Sequence, residues 1–110
     1  MKGEEACNAT ASILNRELEE DFVEVWKISW HLRRLLPKAS DDEIRDSGAV
    51  VLTNLTDSGA ILGDLLEDGA FVPRSGNASD LIAELLASWR DLGRDPNMGE
   101  LGWLVKNPSV

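Results

Sequence analysis

Residues 41–68, "DDEIRDSGAVVLTNLTDSGAILGDLLED", decide how the 110-residue chain reads. Around a helix, at about 100° per residue, Ile44, Val51, Leu55, Leu62 and Leu66 fall along one stripe. Asp42, Asp46, Asp57, Asp64 and Asp68 form a second stripe on the opposite side. Both stripes hold phase from 42 to 68, which predicts one long amphipathic helix over about 41–68. Ser40 and Glu43 make a capping box at its start, and Asp41 and Asp42 suit the positive end of the helix dipole. Gly48, Gly59 and Gly63 lie beside the apolar stripe. Each costs up to ~1 kcal/mol relative to alanine, a cost that a helix absorbs where the missing side chain admits a close neighbour. A second helix is therefore expected to cross at Gly59 and Gly63. The competing reading breaks the helix near Thr56–Gly59, with Thr56 or Asp57 as a new cap. Gly69 is the expected stop.

On the N-terminal side, residues 9–36 contain neither Pro nor Gly and read as helical. The pattern leaves open a break near Glu20–Asp21. Pro37 ends the run, because the residue before a proline is pushed away from helical angles. Residues 1–8 are expected to fray. On the C-terminal side, residues 69–79, "GAFVPRSGNAS", read as a loop, with "FVP" too short to count as a strand. Asn77 or Ser79 caps a helix that runs to Leu92 and stops at Gly93. Residues 93–110 read as a short helix and tail, with Asp95 as cap and Pro96 in the first turn. The expected fold is all-α: one domain over 1–110, a compact bundle of four to five helices.

Charge narrows the function. The net charge is −9. Residues 1–40 carry 6 basic and 7 acidic groups, and residues 41–110 carry 5 and 13. A chain this acidic repels phosphate backbones, so no direct nucleic-acid contact is expected. The start "MKGEEAC" resembles neither a signal nor a transit peptide, and the charge-free run Ser47–Thr56 is far short of the ~20 residues of a membrane span. No membrane association is expected. Cys7 is the only cysteine, which fits a reducing compartment and a cytoplasmic location. One His and one Cys cannot supply a zinc set, so no metal or other cofactor is expected. His31 lies beside Lys27 and Arg34, cations that would lower its pKa, and reads as a solvated surface residue.

The aromatic residues concentrate in the predicted Trp-bearing helix 22–36, "FVEVWKISWHLRRLL". Val25, Ile28, Leu32 and Leu35 make one apolar stripe; Phe22, Trp26 and Trp30 make another beside it. That arc is wider than an edge helix needs. Either the helix is central to the bundle, or the second stripe meets a partner. Trp and Arg are enriched at interface hot spots, and Arg33 is spaced to stack on Trp30. Arg74, Gly76 and Asn77, just before a helix N-terminus, form a weak candidate anion site. Nothing joins His31 or Cys7 to a catalytic set, so no enzyme is expected. The leading reading is a non-enzymatic protein–protein interaction module that self-associates through Phe22, Trp26, Trp30 and Arg33, as a homodimer or with another protein. One alternative is an acidic inhibitor, antitoxin-like protein or nucleic-acid mimic that docks its Asp stripe on a basic partner. Another is a small-molecule binder with a Trp-lined apolar pocket.

Overall fold

A computed structural model describes residues 1–106. Four helices and a four-stranded antiparallel sheet replace the expected all-α bundle. The elements are α1 (Gly3–Glu17), β1 (Val23–Glu24), α2 (Trp26–Leu35), α3 (Asp41–Asp57), β2 (Ala60–Leu65), β3 (Phe71–Pro73), α4 (Ala78–Leu92) and β4 (Trp103–Lys106). The strand order is β1-β4-β2-β3.

The expected helix 41–68 is a helix, a turn and a strand. Its start stands: the Ser40 side chain accepts from the Glu43 N–H, and the Glu43 carboxylate accepts from the Ser40 N–H. Its end comes a decade early. Ser58 caps α3, and Gly59, at φ 106°, takes a backbone conformation that L side chains rarely adopt. The chain then extends into β2. Residues 66–69 form the hairpin turn to β3: the Gly69 N–H donates to the Leu66 carbonyl, the Leu66 N–H to Ala70, and Gly69 has φ 87°. This is a type I turn closed by a glycine bulge. Leu66, expected in the core, sits in that turn and is exposed.

The other departures have similar causes. The helix expected over 22–36 spans only Trp26–Leu35, because Val23 and Glu24 pair with Leu104 and Trp103 of β4. α1 closes at Glu17, and turns lead to Phe22, whose N–H donates to the Asp21 carboxylate. Most of residues 1–8, where fraying is expected, is helical, with Met1 and Lys2 outside the helix. α1 begins at Gly3, and Ala6 and Cys7 are buried in the core. No helix forms after Gly93 among the described residues; β4 lies there instead, and the last four residues of the short helix and tail expected over 93–110 lie outside them. The helix at Ala78–Leu92 agrees with its expectation: Asn77 caps it by accepting from the Asp80 N–H, and Gly93 ends it at φ 70°.

One core serves both layers. Val23, Leu104 and Leu62 form a cross-strand row through β1, β4 and β2, buried against the helices. α3 is the central helix and touches α1, α2, α4 and β2. α4 approaches it at Gly48, where an added Cβ would lie 2.7 Å from the indole of buried Trp89. A close helix crossing at glycine does occur, but at Gly48. Gly59 lies in the turn, and Gly63 lies in β2 under the ring of Phe71.

Candidate interaction surface

The sheet face turned away from the helices carries an aromatic cluster. Opposed residues of antiparallel strands share a face, which puts Glu24, Trp103 and Gly63 on this side, with Leu65 beside Phe71. Phe22 stacks on Phe71 at 5.9 Å and meets Trp103 edge-on at 6.5 Å. All three rings are partly exposed. Gly63 makes their approach possible, since a Cβ there would lie 2.6 Å from the Phe71 ring.

Glu24 joins this cluster to α2. Its carboxylate accepts from the Trp26 indole N–H and so ties the first residue of α2 to β1. One turn on, Trp30 stands 49% exposed. The Arg34 guanidinium lies 4.6 Å from the Trp30 ring centroid, and His31 meets its edge at 4.9 Å. Burial lowers the His31 pKa; Arg34 and Lys27 add to that, and Glu17 opposes it. Between α2 and residues 95–98 runs a groove of about 530 Å³ that includes Trp26, Trp30, Arg34 and Met98. Met98, 74% exposed, forms its far lip.

Arg33 does not stack on Trp30. Its fork holds Asp95 through Nε at 2.8 Å and Nη2 at 3.2 Å, and Nη2 also reaches Asp41 at 2.7 Å. Two hydrogen-bonded carboxylates raise its pKa further, and Arg33 in turn lowers that of Asp41. Arg33 therefore clamps the 95–98 segment to α2, and the stacking position falls to Arg34. A second bracket stiffens the same loop. Arg94 binds Glu100 bidentately at 2.7 and 2.9 Å, and the Asn97 N–H donates to Glu100 at 2.7 Å. These bonds bring the Glu100 pKa down to about 2, Arg94 contributing most. The bracket favours the folded state above the ordinary value of 4.5 and is lost as pH falls from there through about 2. The wild-type thermal midpoint is expected to fall more steeply across that window than the midpoint of Glu100→Gln. Parallel profiles would show that the bracket does not matter.

The other sequence-predicted sites come apart. Asp42, Asp46 and Asp57 remain exposed on α3, but Asp64 is in β2 and Asp68 in the hairpin turn, so no single acidic stripe exists. Asp64 accepts from Arg74 at 2.9 and 3.2 Å, Asp42 pairs with Arg45, and Asp68 accepts from the Ala70 N–H. The anion site is taken up internally. Arg74 spends its fork on Asp64 and the Leu101 carbonyl, Asn77 caps α4, and Gly76 merely turns the chain at φ 122°. Among the described residues no group of His, Cys, Asp and Glu could hold a metal ion, and no helix is long and apolar enough to cross a membrane.

Sequence reasoning found Phe22, Trp26 and Trp30 as one stripe. It missed Phe71, Trp103 and Met98, which the fold brings there from tens of residues away, and it set Arg33 instead of Arg34 beside Trp30. Comparison with protein-family models, with curated proteins and with solved structures found no match.

Proposed function

We propose that the chain is a non-enzymatic protein–protein interaction module whose docking surface is the aromatic strip Phe71–Phe22–Trp103–Trp26–Trp30, lipped by Met98. The observation that carries this reading is Trp30. A large apolar ring stands half exposed at the α2 end of the strip, with the Arg34 guanidinium over it and the Arg33 clamp beside it. Rigid aromatic anchors with an arginine beside them are the residues that dominate interface energies. The strip is open along its length, which suits a protein surface better than an enclosed ligand.

Trp30→Asp separates docking from folding. The side chain contributes little to the core, so stability is expected to change by less than about 1 kcal/mol. Loss of an exposed aromatic anchor is expected to weaken association roughly 30-fold or more. Tagged wild-type and Trp30→Asp chains, expressed at equal levels, are compared for what they retain, with Glu84→Lys on exposed α4 as the control. A partner retained equally by wild type and Trp30→Asp, but lost by Glu84→Lys, would place docking on the wrong face.

A further inference from the structure

We propose that the occupant of this strip is a second copy of the chain, docked with its α2 antiparallel to the first α2 across a two-fold axis at Trp30. This rests on the docking reading above and adds the partner and its geometry. The strip is self-complementary in charge. At one end the Glu24 carboxylate lies beside Trp26; at the other the Arg34 guanidinium lies over Trp30. Beyond the strip, Glu19, Glu20 and Asp21 precede Glu24 and Lys38 follows Arg34, whereas Lys27 is paired with Glu17, and Arg33 with Asp95 and Asp41, within the chain. α2 itself contains no acidic residue. A two-fold axis makes every contact twice and in reverse. With the axis at Trp30, antiparallel helices place position 34 of one chain opposite position 26 of the other. Each Arg34 then meets the Trp26 ring and Glu24 carboxylate of the second copy, and the two Trp30 rings meet at the axis.

Charge elsewhere disfavours other pairings. The chain carries −9, and residues 41–110 alone account for 5 basic and 13 acidic groups. Two copies approaching through α3 and α4 therefore repel each other. α2 carries Lys27, Arg33 and Arg34 and no acidic residue, and of the three only Arg34 makes no ion pair among the described residues. Size also fits. A stable interface takes about 800 Å² from each partner, near one-eighth of the 6466 Å² surface. α2 alone is only about 15 Å long, so Met98 and Trp103 on either side complete the contact.

Charge complementation in trans tests the geometry. Arg34→Glu and Glu24→Lys each place like charges in contact twice per homodimer, and each is expected to weaken self-association roughly 50-fold or more. An equimolar mixture of the two restores one native pair and creates one reversed pair, so heterodimers are expected to form within a few-fold of the wild-type constant. Sedimentation velocity reads the outcome against the 12.1 kDa monomer, and circular dichroism checks each fold. Glu24→Gln keeps an acceptor for the Trp26 indole while removing the charge, and covers the case that Glu24→Lys misfolds; it is expected to weaken the dimer without abolishing it. A mixture that stays monomeric although both chains are folded overturns the pairing. So does a dimer indifferent to Arg34→Glu. Wild-type chain that is monomeric at 300 µM, roughly 300-fold above a micromolar constant, overturns the second copy. If a different partner is then lost with Trp30→Asp, the docking reading stands alone; if no partner depends on Trp30, both fall.

Discussion

Gly63→Ala is expected to destabilise the protein by about 3 kcal/mol. Its Cβ would lie 2.4 Å from the Val72 carbonyl oxygen and 2.6 Å from the Phe71 ring. The carbonyl belongs to the paired strand, so relief requires β2 and β3 to separate. The ring belongs to the outer aromatic cluster, so relief there disturbs Phe22 as well. The sign discriminates between folds. Were Gly63 inside a long helix 41–68, alanine would add up to ~1 kcal/mol of helix propensity. Urea denaturation of the two proteins decides: a midpoint that rises in the variant contradicts the sheet.

Trp89→Ala is expected to cost about 3–5 kcal/mol, a large share of the 5–15 kcal/mol typical of a domain. The indole is 1% exposed and lies over Gly48 on α3. Removing it opens a cavity at the α3–α4 crossing. The same contact sets the response at Gly48. In the wild type, Gly48→Ala drives a Cβ to within 2.7 Å of a ring that has no room to retreat, and overpacking of about 1–3 kcal/mol exceeds the helix-propensity gain of about 1. In the Trp89→Ala background the clash is gone and Gly48→Ala is expected to stabilise. Four proteins in one denaturation cycle measure the coupling. Additive effects would mean that the crossing is not the close contact described.

These glycines also show which parts of the fold the sequence made legible. Local chemistry read true: the Ser40–Glu43 box, the Asn77 cap, the Gly93 stop and the Pro37 break all concern groups within a few residues of one another. β2 misled because spacings of four fit both periods. Leu62 and Leu66, or Asp64 and Asp68, share a face in a helix and share one in a strand. Leu62 and Asp64 also have the same strand parity, so alternation disappears; Asp64 is tolerated there because Arg74 meets it at the rim. The legible warning was Asp68-Gly69 between apolar runs, a strong hairpin signal. β1 had no warning at all. Two residues, Val23 and Glu24, become a strand only because β4 lies alongside them eighty positions later.

The docking surface divides in the same way. Phe22, Trp26 and Trp30 stood out by spacing, and the structure leaves all three at least partly exposed, though Phe22 precedes β1 while Trp26 and Trp30 are on α2. The choice between Arg33 and Arg34 was not legible, because Asp95 captures Arg33 from 62 residues away. Spacing can place an arginine near a ring, but it cannot reveal a competing carboxylate.

The docking claim is tested most directly by a photo-reactive side chain placed at position 30 or 71 on the strip and, for comparison, at position 84 on α4. On irradiation in the cell, protein adducts are expected from positions 30 and 71 at least tenfold more often than from 84. An adduct at twice 12.1 kDa identifies a second copy, and any other mass a different partner. Adducts from position 84 with none from 30 or 71 would contradict the assignment of this surface.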